Sequence, residues 1–222
     1  MNSPFSALML VLLISATLIL FLLIQVGALG LAFQKMGLSP QLGMFIFVLA
    51  LVGSVINIPL FRIKSRVSAQ PAPTWAGHRL WRPWVRPFDG WTIVAVNVGG
   101  CIIPLLVVLF LLFSQSLDLF RVTLAVVVVT FISYSFSQTI PGLGIGMPIF
   151  IAPLTAVVAA GLLYPEHRGA VAYICGTLGV LIGADLLRLK EIRELGTPVA
   201  SIGGAGTFDG IFFTGILAVL LA

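Results

Sequence analysis

Asp185 follows Gly183 and Ala184 at the end of an apolar run, one turn before Arg188, and Asp209 sits just inside the last apolar run of the chain. An ionisable side chain inside a membrane span is costly, so each acid is a functional candidate. The connection between their two runs is short, which predicts antiparallel neighbours with the carboxylates at similar depth. Two carboxylates held close share a proton, so one can activate a water while the other protonates a leaving amine. That is the chemistry of an aspartyl protease, with Asp185 and Asp209 as the catalytic pair. The same acids suit an ion or proton site in a transporter or proton-coupled channel, and a non-catalytic membrane subunit is a third class. Each acid also has a plainer role available. Asp209 fits as a helix N-cap, and Asp185 as an ion-pair partner of Arg188.

Helix-breaking segments surround these acids. Asn97-Val98-Gly99-Gly100, the run from Pro141 to Pro148 with Gly142, Gly144 and Gly146, and Gly203-Gly204-Ala205-Gly206 all fall on the side of the membrane that holds Asp185. Irregular backbone at membrane depth is tolerated only where protein or a water-filled cavity covers it. Their convergence predicts a cavity, with Asn97, Gly142, Gly144, Gly204 and Gly206 as candidate substrate contacts. Close helix packing is the competing role for glycine, and Gly179 and Gly183 have the spacing for it. At about 100° per residue, Asp185 points nearly opposite Gly183, so the acid and the packing glycine serve different surfaces.

The elements that must position these residues are membrane spans. The chain is 59% hydrophobic and only 9% charged, with a mean hydropathy of +1.16, whereas a soluble domain carries about 25% charged residues. Taking roughly 20 apolar residues per crossing, the runs are Ala7 to Leu29, Leu42 to Phe61, Trp91 to Phe113, Val122 to Phe136, Met147 to Tyr164, Ala170 to Leu187 and Phe208 to Ala222. The expected architecture is an all-α polytopic bundle of about seven spans: two N-terminal helices over 1–61, a basic Trp- and Pro-rich loop over 62–90, and a five-helix core over 91–222. No Lys or Arg precedes the first run and no small-residue cleavage site follows it, so it is expected to stay as an anchor.

Loop charges orient the bundle. One side receives Arg62, Lys64, Arg66, Arg79, Arg82, Arg86, Arg188, Lys190 and Arg193; the other receives Lys35, Arg121 and Arg168. By the positive-inside rule the first side is cytoplasmic, which places the N-terminus inside a prokaryotic cell membrane. The net charge of +5 therefore reads as a topology signal. Membrane lipids are the expected partners, with a transmembrane protein as substrate under the protease reading and no nucleic acid. Trp75, Trp81 and Trp84 among the loop arginines suit the headgroup layer of the inner leaflet, with a mobile linker as the equal alternative for this loop. His78 and His167 fall on opposite sides and Cys101 and Cys175 in separate spans, so no metal site and no cofactor are expected.

The stretch from Trp91 to Ala222 looks like a bacterial and archaeal membrane family known only as a domain of unknown function. The resemblance rests on Asn97 to Gly100, Pro141 to Pro148, Cys175 to Gly179, Gly183 to Leu187 and, above all, Ser201 to Thr214. A more distant resemblance is to intramembrane aspartyl proteases of the presenilin and signal-peptide-peptidase type. It implies one Asp in a span running inward and a second, in a GxGD motif, in the next span running back. Asp185 and Asp209 match that polarity and Gly206 matches the first motif glycine. The chain departs at Ala184, where that family has Tyr, and at Phe208, where it has the second glycine. Ala152-Pro153-Leu154 stands in another order and place from that family's Pro-Ala-Leu.

Overall fold

The computed structural model describes residues 4–69, 88–142, 144–204 and 210–222. Helix α1 (Pro4–Lys35) turns sharply at Met36–Ser39 into α2 (Pro40–Gly53), where Gly37 takes a φ of 81°. Ser39 starts α2: its hydroxyl accepts the Leu42 N–H at 3.3 Å, and Pro40 occupies the first turn, where a missing N–H costs nothing. Strands β1 (Asn57–Lys64) and β2 (Trp91–Asn97) follow, and a π turn at Val98–Ile102 leads into α3 (Ile103–Ser114). Next come α4 (Leu119–Phe136), the short strands β3 (Gln138–Ile140) and β4 (Gly144–Gly146), and α5 (Ile151–Leu163). Helix α6 (Arg168–Val180) widens into a second π turn at Leu181–Leu186, followed by a 3-10 turn at Leu189–Glu194, β5 (Val199–Ile202) and α7 (Gly210–Leu221).

The expectation of an all-α protein is corrected: the chain is mostly helical but carries two small sheets. β1 pairs antiparallel with β2, and β2 pairs parallel with β5. These strands replace the ends of two expected spans, Asn57 to Phe61 in the second and Trp91 to Asn97 in the third. The physical reason is that β2 is the central strand of its sheet, with Thr92, Val94, Ala95 and Asn97 all buried. A strand covered on both faces reads as a continuous apolar run, and periodicity cannot tell it from a buried helix. The fifth expected span also starts late, at Ile151 instead of Met147.

Among the described residues, two helices are long and apolar enough to cross a membrane, Leu119–Phe136 and Pro165–Leu186. The pair Leu23–Lys35 and Pro40–Gly53, bent by 111°, makes a third if it counts as one span. Val98–Ser114, Ile151–Leu163 and Ile211–Leu221 are apolar but shorter.

Helix α6 is the hub, buried continuously from Ala170 to Thr177 between α4, α5 and α7. Lipid tails are as apolar as a leucine side chain, so helices in a bilayer associate through close packing, which small residues permit. Gly176 lies against Ala156, Thr214 and Ala218, while a Cβ on Gly183 would stand 2.4 Å from the Thr130 carbonyl oxygen. Phe113, Phe120 and Leu162 remain exposed as an apolar outer surface, of the kind a bilayer covers.

The basic residues sort to the two ends of α3 and α6. At one end the Lys35 ammonium donates to the Leu220 carbonyl at 3.0 Å, and the Arg121 guanidinium lies 5.7 Å from the Tyr164 ring, near Arg168 at the start of α6. At the other end, Arg62, Lys64, Arg66 and Arg193 line one groove beside β1 and β2.

Candidate functional site

The second π turn sets the direction of Asp185. Such insertions widen a helix by one residue and cluster at functional positions. Gly183 faces α4, and on the other side of the turn the Asp185 Oδ2 accepts the backbone N–H of Gly203 at 3.2 Å. Asp185 lines a cavity of about 80 Å³ together with Gly144, Ile145, Leu195, Ser201 and Gly204. That volume accommodates water. Arg188 turns elsewhere, its Nη1 donating to Glu191 Oε1 at 2.7 Å, so the proposed Asp185–Arg188 pair is not formed.

The approach of Gly203 is what closes this site. Its φ is 79°, and a Cβ there would lie 2.5 Å from the Cys101 Cβ and 2.8 Å from the Cys101 nitrogen. Only glycine satisfies both the left-handed backbone and the contact. Gly204, with a φ of 138°, continues the same turn into the cavity wall.

Asn97 sits beside the cavity and holds its frame. Its Oδ1 accepts the Gly100 N–H at 2.7 Å, capping the first π turn, and its Nδ2 donates to the Ser54 carbonyl at 2.7 Å and to Asn57 Oδ1 at 3.1 Å. The Ser201 hydroxyl donates to the same Asn57 oxygen, which joins the end of α2, the start of α3 and β5. Gly142 is likewise structural in its contacts: with a φ of 76° it turns the β3–β4 hairpin and donates its N–H to the Leu195 carbonyl at 2.9 Å. Of the sequence candidates, the structure gathers Asp185, Gly144 and Gly204 around one cavity and places Asn97 and Gly142 in its support. Gly206 and Asp209 lie outside the described residues. Ser201 and Asn57 were not anticipated; Ser201 heads the motif that follows it, but its partner is set by strand pairing across the chain.

A second polar cluster secures the neighbouring turn. The Arg188 Nε donates to Ser137 Oγ at 2.6 Å, Nη2 donates to the Tyr134 carbonyl at 2.8 Å, and the guanidinium stacks 4.7 Å from the Tyr134 ring. A cation at the C-terminus of α4 suits the helix dipole. The Thr139 hydroxyl donates to Glu191. Partial burial pushes the Glu191 carboxyl up, but the Thr139 and Arg188 hydrogen bonds and the Arg188 charge outweigh it and hold the group below its ordinary value. A carboxyl depressed in the folded state adds stability above its unfolded pKa of about 4.3, and that stability is lost as the pH falls through the folded value. Glu191→Gln is therefore expected to lower the melting temperature in detergent at about pH 7, with a gap that closes towards about pH 3. The side chain is one third exposed, so solvent screening limits the effect to about 1 kcal/mol. An equal gap at both pH values would contradict the pairing. Among the described residues, no three His, Cys, Asp or Glu side chains converge as a metal site.

Residues 51–221 match the model of a family described as a protein of unknown function (DUF1614), and the chain belongs to that family. No curated protein and no solved structure matches the chain. These comparisons lend no support to the resemblance to the intramembrane aspartyl proteases.

Proposed function

We propose that this membrane protein crosses a prokaryotic cell membrane about seven times, N-terminus inside, and hydrolyses a peptide bond of a transmembrane substrate with Asp185 and Asp209. The observation that carries the reading is the placement of Asp185 in the candidate span Pro165–Leu186, at a cavity that Gly204 also lines, five positions before Asp209 in sequence. In the mechanism, one carboxylate takes a proton from a water as its oxygen attacks the scissile carbonyl. The other, as the acid, gives its proton to the departing amide nitrogen. β5 supports a peptide as substrate. Among the described residues it is an edge strand of its sheet, and Val199 to Ile202 line the cavity beside Asp185. An unpaired strand edge holds an extended chain by main-chain hydrogen bonds.

The test is cleavage of a transmembrane substrate by the purified chain in lipid, with Asp185→Asn and Asp209→Asn as matched variants. Cation or proton flux through proteoliposomes without cleavage would assign the acids to transport instead. Topology has its own expected outcome. A reporter fused after Arg66 or Arg193 is cytoplasmic and one fused after Ala222 is exterior, since positive loops stay inside. A cytoplasmic Ala222 fusion would remove one span from the proposed count.

A further inference from the structure

The outer face of β1 carries cations that the proposed chemistry does not use. Strand register sets Lys64 opposite Trp91 and Arg62 opposite Ile93, which puts these side chains on one face. Ile63 and Thr92 point the other way, and Thr92 is buried. Arg66 is drawn beside Arg193 by its backbone N–H, which donates to the Arg193 carbonyl at 2.8 Å; the Ser65 hydroxyl donates to the same carbonyl at 3.1 Å. Arg62, Lys64, Arg66 and Arg193, with Trp91, line an open groove of about 580 Å³.

None of these four cations is held in an ion pair among the described residues, where the pairs are Arg121–Asp118 and Arg188–Glu191. In sequence, the segment 70–87 contains Arg79, Arg82 and Arg86 and no acid. Asp89 turns one oxygen to the Trp91 N–H at 3.1 Å and, among the described residues, forms no ion pair with these cations. Four crowded cations favour an anion that reaches all of them, and arginine meets phosphate with two parallel hydrogen bonds.

The approach to the groove is apolar. Val55 is 83% exposed, and Ile56, Ile58, Leu60 and Phe61 are also exposed, before the strand turns basic at Arg62. With a rise of about 3.3 Å per residue, Ile58 to Lys64 covers roughly 20 Å, passing from apolar to cationic as a phospholipid passes from acyl chain to phosphate. Trp91, 43% exposed, stands at the level where indole rings favour the headgroup layer. We propose that this groove is a binding site for the phosphate of an anionic phospholipid, with its acyl chains along Val55 to Phe61.

The experiment titrates the full chain, purified in neutral detergent, with phosphatidylglycerol and separately with phosphatidylcholine, counting bound lipid by native mass spectrometry. Phosphatidylglycerol is expected to bind more tightly than phosphatidylcholine. Lys64→Gln, Arg66→Gln and Arg193→Gln should each weaken it by about fivefold, and together by roughly a hundredfold. Arg121→Gln, at the opposite end, should change nothing. The bonds that tie Arg66 and Arg193 are made by backbone atoms, and the single variants stand as independent tests should the triple variant fold poorly. Equal phosphatidylglycerol binding by wild type and the substituted chains would overturn the site. Displacement of the lipid by millimolar inorganic phosphate would assign the groove to a soluble phosphate and overturn the lipid assignment.

Discussion

Asp185→Asn is expected to abolish cleavage of a transmembrane substrate and to leave the folded yield nearly unchanged. Asn matches Asp in shape, and its amide oxygen can still accept the Gly203 N–H that Asp185 Oδ2 accepts at 3.2 Å, so the turn beside it keeps its anchor. What Asn cannot do is take or give the proton. A positioned general acid or base contributes about 10²–10⁴ in rate, and loss of that order is the expected measurement. Asp209→Asn should fall as far. Asn caps a helix about as well as Asp, so a loss there does not come from a missing cap. If Asp185 served only to hold Gly203, the Asn variant would remain active. Retained cleavage in either purified variant would sink the protease reading.

Gly203→Val is expected to be the most damaging single substitution for folding near the site. Its backbone, at a φ of 79°, is one that a β-branched residue rarely adopts, and the new side chain would meet the Cys101 backbone, which cannot step aside. Left-handed strain of about 1–2 kcal/mol and overpacking of about 1–3 kcal/mol together threaten a large part of the stability of a marginal fold. Gly204→Val, at a φ of 138°, should suffer the strain. The matched control is Leu221→Val on α7, because Leu221 is 49% exposed whereas Leu220 packs partly against the core; it should cost at most about 0.5 kcal/mol. Folded yield and melting temperature in detergent read the difference. Equal tolerance at Gly203 and Leu221 would show the glycine run to be a flexible linker and remove the main support for the cavity.

The membrane character was legible in composition, since so few charges cannot cover a soluble surface. The opposition of Gly183 and Asp185 was expected from a step of about 100° per residue; the structure does set Gly183 on α4 and Asp185 on Gly203, but through the π turn Leu181–Leu186, which spacing alone did not reveal. Spacing failed for Arg188, because Asp185 and Glu191 each stand three positions from it. The π turn before Arg188 and the 3-10 turn after it break the regular helix, and that break decides in favour of Glu191. The strands were hidden for a different reason. A central strand in an apolar protein lacks the alternation that would reveal it, and the register joining Asn57, Asn97 and Ser201 depends on segments far apart in sequence. The groove beside Trp91 was hidden with them, since Arg66 and Arg193 meet only once β1 and the 3-10 turn are in place.

The separation of the Asp185 and Asp209 carboxylates tests the central claim most directly, measured in an experimental structure of the full chain in lipid. A catalytic pair places both within about 2.6–3.2 Å of one shared water, and therefore their nearest oxygens within about 6 Å of each other. Carboxylates more than about 10 Å apart, or facing different cavities, could not share that water and would contradict the account.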